Sequence, residues 1–321
     1  MKLKQPFVKL PLRFSAERLA AEVRALPPSA WMPHPQGFVG NEAVPLVSPN
    51  GEMTNAFDGP MAPTDALLAC PYIVEVMREI GAVWGRSRLM GLAAGADVPA
   101  HVDVGYYWRT HMRVHIPVIT NPAVEFTCAD ETVHMEAGEC WIPDTFHRHA
   151  VRNGGSEQRI HLVLDTVGGE RLWDLIEAAQ TATEAPRRPV GELPELAFEQ
   201  VNAVPIMSPY ELEYHLNHLI EHLVDDPRVP ALVKRLDRFA AGWTATWAKF
   251  GPDQRGLPEY RKLAAAAHQE VAQMCGTTLL LDNGKTFLYF FERFVLANAV
   301  SLRLTEDVEK IVPHALKRTA A

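Results

Sequence analysis

The chain has 321 residues, 47% of them hydrophobic and 22% charged, with a formal net charge of −8. That length suits one large domain or two modest ones, and the composition excludes a disordered or fibrous protein. The acidic balance excludes a general basic footprint for nucleic acid, so no nucleic-acid partner is expected.

The N-terminus, MKLKQPFVKLPLRF, is basic but has no apolar h-region, so it does not read as a signal peptide. Ser15 is a good N-cap for a helix carrying Leu19, Val23 and Leu26, which Pro27-Pro28 then stops. Residues 31–66, rich in Pro, Gly and Asn, read as loop with short strands. Pro71 opens a second helix with Ile73, Val76, Met77 and Ile80 on one face, and Gly81 is its expected stop.

From residue 86 to 166 the pattern changes to short strands: Arg88–Ala93, Met112–Ile119, Val124–Cys128, Thr132–His134, Cys140–Ile142, His149–Arg152 and Arg159–Thr166. Many short strands in one block predict an antiparallel jelly roll or barrel. Thr181–Leu193 reads as a linker, and helical periodicity then returns. Ser208-Pro209-Tyr210-Glu211 combines an N-cap, a first-turn Pro and a capping-box Glu, followed by Leu216, Leu219, Ile220 and Leu223. Further helices are expected at 229–249, 258–274 and 286–300. The fold class is therefore α+β, a β core with N-terminal helices followed by an all-helical C-terminal region. The expected domains are 1–178, a linker at 179–193, and 194–321.

No stretch is long and apolar enough to span a bilayer, so no membrane association is expected. Cys70, Cys128, Cys140 and Cys275 include no C-x-x-C pair, which argues against a zinc knuckle or dithiol motif. Four thiols in a chain this long fit a reducing cytosol, and a cytoplasmic location is expected.

His101-Val102-Asp103 is the first chemical signal. Alternate residues on an extended segment project to one side, so an imidazole and a carboxylate can reach one metal. With a second His they form the facial two-His-one-carboxylate site, which leaves positions open on iron(II) for an oxoacid and dioxygen. Alone the motif is weak, because with 13 His in the chain about 0.6 matches arise by chance. His134-x-Glu136 and His268-x-Glu270 offer the looser form.

Downstream context strengthens the signal. His149 opens a strand-like piece, and Arg159 follows within reach of a hairpin. An arginine there can form a bidentate pair with the distal carboxylate of 2-oxoglutarate. Arg113 and His115 share one face of Met112–Ile119, opposite Val114 and Ile116, which suits an anion-binding pocket above an apolar core.

Six motifs in order resemble the aspartyl/asparaginyl β-hydroxylase family, which includes bacterial proline cis-4-hydroxylases. They are Arg88-Leu89-Met90-Gly91-Leu92 with Gly95; His101-Val102-Asp103; Arg113-Val114-His115-Ile116-Pro117; Gly138-Glu139-Cys140-Trp141; His149 with Val151 and Asn153; and Arg159-Ile160-His161-Leu162-Val163 with Asp165. The resemblance spans about residues 84–168. It implies a double-stranded β-helix of the jelly-roll or cupin kind, with iron(II) on His101, Asp103 and His149. It also implies 2-oxoglutarate on Arg159, with Arg113 and His115 helping to hold it.

One departure is that Phe146-His147-Arg148-His149 offers two histidines where the family usually has one. His147 and His149 would share a strand face, and His149 is chosen because the Val151, Asn153 and Arg159 spacings then agree. A strict two-residue turn at Gly154-Gly155 would pair 149 with 160 and turn Arg159 away, so the reading requires an odd loop or a bulge.

The implied function is hydroxylation of an unactivated C–H bond in a small amino-acid-like substrate, with 2-oxoglutarate decarboxylated to succinate. The alternatives are an Asp/Asn hydroxylase acting on a peptide or protein, and a non-catalytic cupin-like metal- or ligand-binding protein. A zinc hydrolase on the same three ligands would leave the Arg159 spacing unexplained. Trp108, Arg109, His147, Arg148 and Arg152 are candidate substrate contacts, and Trp141, Ile142 and Val163 a candidate apolar shell. Expected partners are the small substrate, 2-oxoglutarate and dioxygen. The helical region is expected either to close over the active site or to form a homodimer. His215, His218 and His222 share a face of one helix and read as the polar flank of a packed helix.

Overall fold

The structure, a computed structural model, describes residues 3, 5–33, 38–103, 107–183, 193–202 and 206–300. Most of the expected linker, 184–192, lies outside the described residues. The chain forms two compact units: Met1–Asp103 with Thr110–Asn202, and Val104–Arg109 with Ala203–Ala321.

In the first unit β1 (Phe7–Arg13) precedes α1 (Ala16–Ala25), β2 (Met32–Pro33), β3 (Asn41–Pro49), β4 (Met61–Pro63), α2 (Asp65–Leu68) and α3 (Pro71–Ile80). Then come β5 (Val83–Leu92), β6 (Asp97–His101), the short α4 (Tyr107–Thr110) at the unit boundary, β7 (Met112–Ile119), β8 (Val124–Cys128) and β9 (Glu131–Val133). After these follow β10 (Glu139–Pro143), β11 (His149–Asn153), β12 (Arg159–Gly168), α5 (Glu170–Thr181) and β13 (Ala197–Phe198).

The two expected N-terminal helices form for the expected reasons. The Ser15 side chain accepts from the Arg18 amide at the start of α1, and Gly81 ends α3 at φ +69°. That left-handed conformation suits a residue without a Cβ.

Among the described residues the strands form two antiparallel sheets, with β13 joining in parallel. The larger runs β1-β10-β7-β12-β5-β3-β2, with β4 on β3 and β13 on β5; the smaller runs β6-β11-β8-β9. From β5 to β12 the chain passes back and forth between sheets, contributing β5, β7, β10 and β12 to one and β6, β8, β9 and β11 to the other. This is the eight-stranded double-stranded β-helix, a jelly roll.

Period-two alternation gives the large sheet two unlike faces. Val114, Ile116, Ile160, Leu162, Leu164, Leu89 and Ile142 point outward into one apolar core, with Leu19 and Val23 of α1, Ile73, Val76 and Met77 of α3 and Leu172 and Leu175 of α5. Arg86, Arg88, Arg113, His115, Arg159, His161 and Asp165 alternate with them and are buried on the other face. A smaller core of Phe7, Leu92, Val124, Phe126, Cys128, Met135 and Val151 fills part of the space between the sheets. The polar inner face is therefore enclosed, and its groups require partners.

Two details fix the barrel's ends. Buried Asn153 donates through Nδ2 to the carbonyls of Leu92, Ala93 and Glu157 at 3.1, 3.0 and 2.8 Å and accepts from the Gly155 amide at 3.1 Å. It thereby staples the crossing from β11 to β12. Gly138, before β10, has φ +82°, and a Cβ there would meet the Phe14 carbonyl oxygen at 2.2 Å. Gly138→Ala is expected to destabilise the unit by more than about 2 kcal/mol, since it combines left-handed strain with a backbone clash. A denaturant titration checks this, and an unchanged midpoint would refute it.

The second unit contains α6 (Pro209–Glu221), α7 (Val229–Phe250), α8 (Leu257–Cys275), α9 (Phe287–Phe290), a π-helical turn at Phe291–Leu296 and α10 (Ala297–Ala299). Ser208 caps α6 as expected, accepting from the Glu211 amide at 3.3 Å. The core is aromatic: Trp243 lies 4.6 Å from Tyr260 and 5.7 Å from Phe239 between ring centroids. His215, His218 and His222 are buried within this unit, beside buried Leu216 and Leu219. His222 Nδ1 is 2.7 Å from Asp282, and the His218 ring stacks on Phe294.

Candidate active site

Adjacent strands of the small sheet bring the first two candidate ligands together. His149, opening β11, pairs directly with His101 at the end of β6, and their ring centroids are 4.2 Å apart. Asp103 lies two residues past the strand, and its placement comes from a turn rather than from strand alternation. Its amide donates to the Thr145 carbonyl at 3.2 Å. His101, Asp103 and His149 each offer a ligand atom within 4.8 Å of the others. No other such group of three or more exists among the described residues.

Both histidines are set to offer the same nitrogen. His101 Nδ1 lies 2.8 Å from the Pro99 carbonyl and His149 Nδ1 lies 3.0 Å from the His147 carbonyl. A carbonyl only accepts, so each Nδ1 carries the proton and each Nε2 keeps its lone pair for a metal. Burial pushes His149 down to about 4, with His101 reinforcing this and Asp103 opposing it, so the ring is neutral at ordinary pH. Burial alone would raise the Asp103 carboxyl. The positive charge of Arg113, the largest opposing cause, holds the group below its usual range, with Arg86 adding to it. Two imidazoles that present Nε2 and an ionised carboxylate are the kinds of donor a divalent metal takes.

The inner face of the large sheet supplies the other half of the site. Arg113 Nε donates to Asp165 at 2.9 Å, and its Nη1 lies 3.5 Å from Asp103. Arg86 approaches the same Asp165 carboxylate at 3.5 Å. One strand over, buried Arg159 places Nη2 2.6 Å from His161 Nδ1, and its Nε has no hydrogen-bond partner. Both ring nitrogens of buried His115 also lack a partner. Burial is the main cause holding His115 well below its usual value, reinforced by Arg113 and Arg159, and burial pushes Arg159 down to about 9. Arg159 is therefore still cationic at neutral pH. The rings of His161, His115, Phe126 and His149 run in sequence at 5.9, 5.3 and 6.2 Å, linking this cluster to the candidate ligand His149. Orphaned buried donors beside a buried cation fit a carboxylate ligand.

Comparison with known proteins agrees with this geometry. Residues 58–168 match the family described as Aspartyl/Asparaginyl beta-hydroxylase. The match covers about a third of the chain and is a likeness to that family. The double-stranded β-helix observed is the fold that the sequence resemblance implied, and the donor sets are of the kinds that suit a divalent metal and a carboxylate.

Solved structures similar to the chain include a 2OG-Fe(II) oxygenase family oxidoreductase from Burkholderia pseudomallei, at 15% identity and TM-score 0.39, covering 52% of this chain and 87% of that one. Another is a Pseudomonas putida prolyl-4-hydroxylase, at 14% identity and TM-score 0.36, covering 51% and 92%. A third is the non-heme alpha ketoglutarate dependent epimerase SnoN of nogalamycin biosynthesis, at 14% identity and TM-score 0.37, covering 57% and 89%. Among curated proteins the chain has no match.

Several expectations for this site change in the structure. β11 and β12 lie in different sheets, so they form no hairpin. The requirement for an odd loop or bulge between them falls away. His147 sits in the turn before β11 rather than on the strand, its amide bonded to the Asp144 carbonyl at 3.0 Å, and it is not in the ligand cluster. Arg148 is exposed. Arg152 is exposed on β11 between buried Val151 and Asn153, on the face opposite His149, and so leaves the set of substrate contacts. Ile142 belongs to the outer core, not to a shell around the site.

Trp108, half-buried on α4, packs edge-on to Tyr107 and groups with the other unit, and the Arg109 side chain lies outside the described residues. Two participants have no role in the sequence reading. Asp165 bridges Arg86 and Arg113, and Arg86 lies over the Phe57 ring at 3.8 Å. The alternation of Arg86 and Arg88 with Ser87 and Leu89 was the signal available for an inward-facing pair.

Proposed function

We propose that the protein is an iron(II)- and 2-oxoglutarate-dependent hydroxylase that acts on an unactivated C–H bond of a small amino-acid-like acid and converts the oxoacid to succinate. The observation that carries this reading is the convergence of His101, Asp103 and His149 with both Nε2 lone pairs left free by backbone carbonyls. In this reading those three side chains hold the iron. When bound, iron supplies the dioxygen activation and C–H oxidation that no protein side chain can perform.

The chain's own groups do the rest. Arg113, anchored by Asp165, keeps Asp103 ionised and fixed in place. Arg159 takes the distal carboxylate of the oxoacid on a charged fork, with His115 beside it as a neutral donor and acceptor. Phe126 and Val163 exclude water from the enclosed face. Buried Arg86 and Arg88, on the same face of β5, support an acidic substrate. His147 and Arg148, in the turn that positions Asp103, remain the candidate substrate contacts in this unit.

The test supplies purified protein with iron(II), 2-oxoglutarate and a panel of free amino acids and measures succinate. Succinate release above the no-substrate rate with at least one of them is the expected result. Iron-loaded protein that forms no succinate under any condition would contradict the reading and favour a binding protein.

A further inference from the structure

We propose that His161 is a positioning residue of the co-substrate pocket and a second donor to the same anionic group that Arg159 binds. This inference rests on the proposed 2-oxoglutarate site. A guanidinium has hydrogens to give and no lone pair to accept with, so Arg159 Nη2 must donate across the 2.6 Å contact to His161 Nδ1. That fixes the His161 tautomer: Nδ1 is the acceptor and the proton sits on Nε2. The Nε2–H is buried and has no hydrogen-bond partner, and the whole residue is 1% exposed.

Two consequences follow from that tautomer. First, the contact fixes the plane of the Arg159 guanidinium, whose Nε–H is left without a partner beside it. A planar fork held by a neighbour loses less freedom when a carboxylate arrives. Second, the orphaned Nε2–H of His161 joins the Arg159 Nε–H and the two unpartnered ring nitrogens of His115. Residues 159 and 161 share the inner face of β12, and His115 lies on the adjoining β7, paired to Val163. The His115 and His161 ring centroids are 5.9 Å apart.

Buried polar atoms without partners are rare in folded proteins, so several on one enclosed face describe a ligand's outline. The ligand they fit is a carboxylate carried at the far end of an oxoacid. An oxoacid without that second carboxylate leaves these donors unmet.

The experiment uses iron(II)-loaded full-length protein with dioxygen excluded. It is titrated calorimetrically with 2-oxoglutarate and, separately, with 2-oxobutanoate, which keeps the oxoacid head and lacks the distal carboxylate. The native protein should prefer 2-oxoglutarate. His161→Leu should weaken 2-oxoglutarate binding by about tenfold or more, the worth of a lost hydrogen bond to a charged group. It should leave 2-oxobutanoate within about twofold, since that ligand never uses the donors. His161→Asn, which can accept from Arg159 and donate onward, should restore part of the preference.

Equal weakening of both acids by His161→Leu would mean a merely structural role and overturn the proposal, as would unchanged binding of both. Native protein that does not prefer 2-oxoglutarate would instead overturn the co-substrate site itself, and the role of His161 with it. Should His161→Leu fail to fold, His161→Asn alone decides: undiminished preference for 2-oxoglutarate in a variant with a displaced donor would contradict the proposal.

Discussion

His149→Ala is expected to lower iron(II) affinity by more than about a hundredfold, because even partners behind a ligand cost 10–100-fold when removed. His147→Ala should leave it within about twofold. The two residues are two positions apart, yet the structure separates them sharply. His149 is buried, begins β11, pairs with His101 and has its Nδ1 tied to the His147 carbonyl. His147 contributes that carbonyl from the backbone, which alanine retains. Its side chain is absent from the ligand cluster. Iron content after gel filtration of each variant reads this out. Loss of iron in His147→Ala with retention in His149→Ala would reverse the ligand assignment.

Arg159→Leu is expected to raise the dissociation constant for 2-oxoglutarate by at least about a hundredfold. Two charge-assisted hydrogen bonds of ~1.5–3 kcal/mol each are lost with the fork, and a tenfold change corresponds to about 1.4 kcal/mol. Iron affinity should stay near native, because Arg159 is not among the ligands. Arg159→Lys should recover only part of the loss, since an ammonium cannot present two parallel donors. The folded protein should tolerate the leucine well. Arg159 is a buried cation whose hydrogen-bond partner is the neutral His161 ring, so its removal lifts a desolvation cost. Undiminished oxoacid binding in the folded leucine variant would remove Arg159 from the site.

Much of this architecture is legible in the residues. The alternation of Arg113 and His115 with Val114 and Ile116 gave both faces of β7, and its limits, Met112–Ile119, coincide with the strand. Ser15, Gly81 and Ser208 marked helix ends because each meets an unsatisfied backbone group or a left-handed turn by local chemistry. What was not legible is non-local. β11 and β12 are close in sequence and look like a hairpin, but a jelly roll sends them to opposite sheets. No local pattern distinguishes a tight turn from a crossing. The nine-residue β3 was hidden in a Pro-rich stretch because its hydrogen-bond partners lie elsewhere in the chain. Helix α5 buries Leu172, Leu175 and Ile176, a stripe at helical spacing that is legible in the residues.

The site shows the same division. Residue types, spacing and the resemblance pointed to His101, Asp103, His149 and Arg159 as candidates, and the first three do converge. Spacing could not show that Asp103 is held by a turn at Thr145, or that Asp165 joins Arg86 to Arg113. Those depend on groups that are distant in the chain and meet only in the fold, as Arg113 and Asp165 do across 52 residues.

Visible absorption on adding 2-oxoglutarate to iron(II)-loaded protein without dioxygen tests the central claim most directly, because it needs metal and oxoacid in one site. The expected result is a weak metal-to-ligand charge-transfer band that saturates at one equivalent and is missing in His149→Ala. A native protein that binds iron(II) and 2-oxoglutarate but develops no band, or a His149→Ala variant that develops the same band, would contradict it.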